Sequence, residues 1–301
     1  MFNKKYVESM KKIISAALAL LLAVSASAGN GDLYNDNNDG KKRIAVLRGS
    51  DNIIQKTIQL TEEYTKIEAS RGVKVEIEER PGNDVIIRAN DNVMEYLEVE
   101  VDEGELEVTI DGDINSLNNV TVIVSLPNNN NITKIDVASS AKVQVKPEQN
   151  VKSLVLQASS AGEISFARAN VESFSIDVAS SGDVQGVIKA DNGYVEATSA
   201  ADITLTLLSR SCSAKASSSA KINLEGEVRT FYAEASSAGK VNAEDMLVHD
   251  KADVRASSAG KIMVNSDGEI VAKATSGGAI RFKGKGNVVP EVSSGGTIKH
   301  L

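Results

Sequence analysis

The chain has 301 residues, of which 42% are hydrophobic and 25% charged, as in an ordinary folded soluble protein. It carries 33 basic and 41 acidic residues, and this net charge of −8 argues against a nucleic-acid-binding protein. Cys212 is the only cysteine, so no intrachain disulfide can stabilise the fold. Tryptophan is absent and aromatic residues make up only 4%, so the core must be built from aliphatic side chains in thin, repetitive layers.

The first 28 residues have the pattern of a secretory signal peptide. Four lysines precede an apolar run at residues 13–24, and residues 26–28 (Ala-Ser-Ala) provide the small side chains of a cleavage site. This apolar run is too short to span a bilayer. We therefore expect residues 1–28 to be removed on export, whether translation begins at Met1 or at Met10. The mature chain would then hold 29 basic and 40 acidic residues.

Two segments separate the signal peptide from the second half of the chain. Residues 29–58 begin with a polar stretch rich in Asn, Asp and Gly, and they are predicted to form a flexible leader. In residues 59–127 apolar and polar side chains alternate between turn signals such as Pro81-Gly82, which indicates short strands. Residues 67–73 partly match the phrase that repeats in the second half of the chain, described below. We expect this N-terminal β region to cap an array that would otherwise expose an edge and an apolar core.

Residues 128–301 contain nine copies of one short phrase. It reads aliphatic, x, Ala/Val, Ser/Ala/Thr, Ser, small, Gly/Ala, x, Ile/Val, as in Val254–Ile262. The copies recur every 18 to 21 residues, a period typical of solenoids. The phrase predicts a strand, a small-residue corner and a second strand. We therefore predict an all-β, right-handed parallel β-helix or β-solenoid with about three short strands per coil, which forms one continuous β domain over residues 59–301.

The fifth position of the phrase is serine in every copy. Stacked coils would place these serines above one another as a structural corner ladder, and their hydroxyls are predicted to hydrogen-bond along it. Catalysis by these serines is not indicated, because neither His249 nor His300 recurs with them. The glycines two positions later are expected to supply a positive φ. The serines are Ser139, Ser160, Ser180, Ser199, Ser218, Ser237, Ser258, Ser276 and Ser294, and the glycines are Gly162, Gly182, Gly239, Gly260, Gly278 and Gly296.

The outward position after each corner changes from acidic to basic along the repeats. Stacking in register would align like charges about 4.8 Å apart, where they repel one another. The simplest interpretation is that these solvated side chains splay apart and bind nothing. The alternative hypothesis is that the acidic column holds a divalent cation and that the basic column holds an anionic glycan or a phosphate group. The acidic candidates are Glu163, Asp183 and Asp202, and the basic candidates are Lys221, Lys240 and Lys261.

The closing phrases of the chain resemble a known family. Residues 274–284 read Ala-Thr-Ser-Gly-Gly-Ala-Ile-Arg-Phe-Lys-Gly, and residues 292–298 read Val-Ser-Ser-Gly-Gly-Thr-Ile. Together with the alternating strands that end at Pro127, these phrases resemble the bacterial family called putative auto-transporter adhesin, head GIN domain, over roughly residues 60–301. The resemblance implies an exported envelope protein of Bacteroidetes type with a β-helical head, and it carries no catalytic residues. This chain departs from the family pattern by using alanine at several corner glycines.

These observations favour an exported, non-catalytic binding or adhesion module that presents a repetitive surface to a glycan or a surface protein. The expected location is the periplasm, the outer membrane or the cell surface of a Gram-negative bacterium. We expect no cofactor, no nucleic-acid partner and no membrane span after signal removal. The alternatives are a polysaccharide lyase or hydrolase, which the short loops and scarce aromatics disfavour, and an envelope scaffolding or sensing protein. The last coil, at His300-Leu301, is expected to offer an open edge to another subunit.

Overall fold

A computed structural model describes residues 44–301; the predicted signal peptide and residues 29–43 of the predicted leader lie outside the described residues. The first part contains β1 Leu47–Arg48, β2 Ile53–Gln59, β3 Lys66–Ala69, β4 Lys74–Glu78, β5 Asp84–Asn90, a 3-10 turn Met94–Tyr96, β6 Leu97–Asp102, β7 Glu105–Ile110, β8 Leu117–Asn118 and β9 Val122–Pro127. The repeats contain β10 Lys134–Val137, β11 Lys142–Val145, β12 Gln149–Asn150, β13 Ser153–Ala158, β14 Glu163–Asn170, β15 Ser173–Val178, β16 Asp183–Ala197, β17 Asp202–Ala216, β18 Lys221–Ala235, β19 Lys240–Ala256, β20 Lys261–Ser266, β21 Glu269–Ala274, β22 Ala279–Lys283, β23 Val288–Val292 and β24 Thr297–His300.

These strands stack into the predicted parallel β-solenoid. Sheet A comprises the strands before each corner, in the order β7, β3, β10, β13, β15, the second halves of β16 to β19, β21 and β23. Sheet B comprises the strands after each corner, in the order β9, β4, β11, β14, the first parts of β16 to β19, β20, β22 and β24. A shorter third side runs through the middles of β16 to β19, which are 15 to 17 residues long.

The corners stack as predicted, but through the backbone rather than through the serine hydroxyls. The sixth-position N–H donates to the fifth-position carbonyl of the next coil, as from Ser219 to Ser237 at 3.1 Å. Both positions have a positive φ, which is 52° at Ser218 and 66° at Ser219. This conformation turns the side chains towards solvent, and in residues 44–301 no hydrogen bond joins the hydroxyls of the nine corner serines. The prediction of a hydroxyl ladder is therefore wrong.

The corner glycines do not have the positive φ that was predicted for them. Gly239 is representative: its φ is not in the left-handed region, and a Cβ there would lie 2.3 Å from the carbonyl oxygen of Ala216 in the preceding coil. Glycine therefore allows a close approach between coils at this position. The equivalent position holds a buried alanine in other coils, for example Ala220.

The core is aliphatic, and its few large rings are matched to small residues in the next coil. Phe166 stands in register with Gly186, and Phe174 with Gly193. A Cβ at Gly193 would lie 2.0 Å from the Phe174 ring, so the ring occupies the space that a side chain would need. Each phenylalanine is thus accommodated by a glycine about one coil further along the chain.

The N-terminal part differs from the prediction at two boundaries. The segment predicted as a flexible leader includes β2, which pairs antiparallel with β5 from Ile53 opposite Asn90 to Gln59 opposite Asp84. The region predicted as a cap includes a true coil, because β3 and β4 pair in parallel with β10 and β11. Its corner has the positive φ of the others at Arg71 (59°) and Gly72 (76°). The boundaries at 58 and 127 are therefore wrong for the described residues; β5, β6, β7 and β9 form the layer below this first coil.

Candidate functional site

The register of sheet B stacks all six predicted charged residues into one uninterrupted column. Each residue is the direct partner of the next one on the neighbouring strand. The prediction that spacing in the chain becomes adjacency in space is therefore confirmed for this column. The order is Glu163, Asp183, Asp202, Lys221, Lys240 and Lys261.

The acidic half of the column is partly neutralised from its two ends. Glu163 forms an ion pair with Lys142 at 2.5 Å, and Asp202 forms one with Lys221 at 3.8 Å. Asp183 lies between them, and burial, reinforced by the charges of Asp202 and Glu163, raises the pKa of its carboxyl group. Within residues 44–301 no group of three or more His, Cys, Asp or Glu side chains is arranged to hold a metal ion. The carboxylates extend in parallel from successive strands, so they do not assemble the cation site considered above.

The basic half continues further than the sequence analysis indicated. The residues two positions later on the same strands form a second outward column: Asn223, Asn242, Met263, Arg281 and Lys299. Over these five coils the two columns carry five cations and no acidic side chain. We call this set the basic track; it consists of Lys221, Lys240, Lys261, Arg281 and Lys299. Further along the strands, Glu225 and Asp245 are register partners, and Lys283 forms ion pairs with Glu244 and Asp245 at 3.6 Å and 3.8 Å.

Most cations of the basic track are available for a ligand. In the described part of the chain, Lys240 and Lys261 form no ion pair, and the contact of Lys221 with Asp202 is long. A shallow cavity of about 330 Å³ lies among the three lysines and Arg281, with the amides of Asn223 and Asn242 in its wall. Lysine ammonium groups, an arginine fork and amide N–H groups are all donors that suit carboxylate, sulfate or phosphate oxygens.

Sheet A provides a contrast, because its cations in the later coils already have partners. Lys251 pairs with Glu269 at 2.8 Å, and Lys273 pairs with Glu291 at 2.6 Å. The Lys215 ammonium lies 5.7 Å from the centroid of the Tyr194 ring, a cation–π contact. Of the two faces, sheet B is therefore the one with positive charge left to bind an anion.

The histidines do not supply a base to the corner serines. His249 lies 3.2 Å from a carboxylate oxygen of Glu227, and the His300 ring packs edge-on against Phe282 with centroids 5.1 Å apart. Among the hydrogen bonds of residues 44–301, none joins either histidine to a corner serine. The arrangement thus offers charge and hydrogen-bond donors on a flat face rather than an assembled nucleophile.

Arg281, Lys299 and the two asparagines were missed in the sequence analysis. The signal that could have found them is the period of two within a strand, since each lies two residues after a position of the first column.

Residues 44–301 also contain no helix with the length and apolar character needed to cross a bilayer.

Comparison with solved structures shows the same fold in proteins of low sequence identity. A protein described as a putative adhesin from Parabacteroides distasonis matches with a TM-score of 0.66 at 15% identity, covering 85% of this chain and 100% of that one. A putative adhesin from Parabacteroides merdae matches with a TM-score of 0.64 at 13% identity, covering 85% and 99%. A protein from P. distasonis described as a putative lipid binding protein gives 0.59 at 16% identity, covering 85% and 99%.

Among curated proteins, none matches this sequence. The sequence model of one family matches residues 63–186 and 183–286, which together span most of the chain and include the first coil as well as the repeats. The two matched segments follow the solenoid from β3 to β22. The chain therefore belongs to the family described as putative auto-transporter adhesin, head GIN domain.

Proposed function

We propose that the protein is an exported, non-catalytic binding module of the bacterial cell envelope, and that its basic track binds an anionic glycan. The observation that carries this proposal is that the two outward columns of sheet B nearest the corner hold five cations and no acidic residue over five coils. The negative net charge of the whole chain makes this local excess of positive charge more distinctive.

The spacing of the track suits an extended polyanion. Successive coils of a parallel solenoid lie about 4.8 Å apart, so five coils extend along roughly 20 Å of the axis. A linear chain bearing carboxylate or sulfate groups can contact several coils at once, and each contact is a charge-assisted hydrogen bond. The acidic residues Asp202 and Asp183 repel such a chain beyond Lys221 and thereby limit the site to the later coils.

Export is supported by the signal-peptide pattern of residues 1–28 and by the description of the family as adhesins. Edman sequencing of the protein recovered from the envelope fraction tests it, with Gly29 expected as the first residue. Recovery of the intact N-terminus from the cytosol would contradict export.

Binding is tested with the mature chain against heparin, chondroitin sulfate and polygalacturonate, with neutral dextran as the reference probe. We expect at least one polyanion to bind with an affinity that falls as salt increases, and dextran not to bind. Replacing Lys221, Lys240 and Lys261 together by alanine should weaken binding by at least about tenfold. Recovery of each polyanion at unchanged length after incubation tests the non-catalytic part of the proposal.

The matched control removes three lysines from sheet A, Lys215, Lys251 and Lys273, with the same change in net charge. An equal loss of binding in this control would show that only overall charge matters, and it would contradict a site on sheet B. Binding to vesicles of phosphatidylglycerol without binding to any polyanion would indicate that the ligand is a lipid headgroup rather than a glycan. One structural neighbour is described as a putative lipid binding protein.

A further inference from the structure

The charged column on sheet B is antisymmetric about its midpoint. Three acidic residues are followed, in adjacent coils, by three basic residues, and the sign changes between Asp202 and Lys221. A surface with this pattern is complementary to an inverted copy of itself. A two-fold axis parallel to the strands, passing between the coils of Asp202 and Lys221, would place every acidic residue opposite a basic one.

The pairing follows directly from the register. Under this two-fold operation, Asp183 of one copy faces Lys240 of the other, and Glu163 faces Lys261. A two-fold interface is isologous, so each contact occurs twice. Asp183, Lys240 and Lys261 form no ion pair inside the described part of the chain, which leaves these charges for a partner.

The second outward column supports the same arrangement. In the six coils concerned it contains only uncharged residues: Ser165, Gln185, Thr204, Asn223, Asn242 and Met263. The same axis brings Gln185 opposite Asn242 and Thr204 opposite Asn223, so hydrogen-bonding side chains meet. Nothing in this column opposes the pairing made by the first.

We infer that two copies of this chain associate face to face through sheet B, with antiparallel solenoid axes, and that the acidic column of each copy covers the lysine column of the other. The face measures about 29 Å by 13 Å, or about 400 Å² per copy. Stable protein interfaces bury about 800 Å² per partner, so the association is weak and depends on high local concentration. It differs from the edge pairing expected from the sequence, in which the open edge of the last coil at His300-Leu301 meets another subunit.

The inference uses lysines of the proposed glycan site but does not require the glycan. Sedimentation velocity of the mature chain, from about 10 µM to about 1 mM, should show a monomer–dimer equilibrium. Raising the salt from about 0.05 M to about 0.5 M should shift it towards the monomer, because the Debye length shortens.

Charge reversal tests the geometry. D183K and K240E should each weaken self-association by at least about tenfold, and the double variant D183K/K240E should restore it, because the two side chains face each other across the axis. The control D177K reverses an exposed aspartate on sheet A and should leave the dimer unchanged. Circular dichroism checks that all variants keep the β-sheet signal.

A monomer at every concentration in low salt would overturn the inference. So would a double variant that remains as monomeric as the single variants. The D183K variant separates this proposal from the glycan proposal, because it should lose self-association while it retains polyanion binding.

Discussion

Replacing Gly193 by alanine tests how the core of the solenoid is packed. The new Cβ would lie 2.0 Å from the Phe174 ring, whereas carbon atoms in contact are at least about 3.5 Å apart, so the ring must move by about 1.5 Å. Phe174 is only 4% exposed and cannot swing into solvent. Overpacking of this kind costs about 1 to 3 kcal/mol, and the depth of this overlap favours the upper end. Urea unfolding followed by circular dichroism measures the change in stability.

A second substitution shows whether the ring is the cause. Phe174→Leu alone should destabilise the protein by about 1 to 2 kcal/mol, because it leaves unfilled volume in the core. Combined with Gly193→Ala it should cost less than the sum, with a coupling of about 1 to 2 kcal/mol. The control is Gly112→Ala, where a Cβ meets no atom within 4 Å and stability should be unchanged. Strictly additive effects of the two substitutions would refute the argument.

Three further predictions concern single side chains. Ser218→Val should destabilise the corner by about 1 to 2 kcal/mol, because a β-branched residue does not tolerate φ near 52°, whereas Ser218→Gly should be nearly neutral; urea unfolding compares them. Burial raises the pKa of the Cys212 thiol to about 12, so it should not react with a thiol reagent at pH 8 until the protein is unfolded by urea. The raised pKa of Asp183 means that its contribution to stability is greatest below the unfolded-state pKa and is lost as pH rises through the folded-state pKa. Asp183→Asn should therefore raise the melting temperature at pH 7 and have little effect near pH 3; an equal effect at both values would contradict this assignment.

The charged column could be predicted from sequence because the coils are parallel and in register. In such a stack, residues one period apart become neighbours. The spacing from Asp183 to Asp202 to Lys221 therefore gives the order in which these residues lie next to one another on sheet B. The same relation covers the match of Phe174 with Gly193, which are 19 residues apart and directly paired.

Other features depend on interactions that have no local signature. Strand β2 consists almost entirely of exposed side chains, and its partner β5 lies about 30 residues later, so neither a buried face nor a short turn marks it. The positive φ at Ser218 and Ser219 contradicts the usual preference of that conformation for glycine. Hydrogen bonds to the coils on either side hold these residues there, and such support exists only after the coils have stacked.

The two uses proposed for sheet B make a joint prediction, because a dimer that covers Lys221, Lys240 and Lys261 cannot hold a polyanion at the same lysines. Linkage requires that the ligand weaken self-association by the same factor by which self-association weakens ligand binding. A fluorescent heparin oligosaccharide titrated with the protein should give a curve that flattens at concentrations where the dimer forms, while D183K should follow a simple hyperbola over the same range. If both proteins give curves of the same shape, the glycan and the second copy do not share this face.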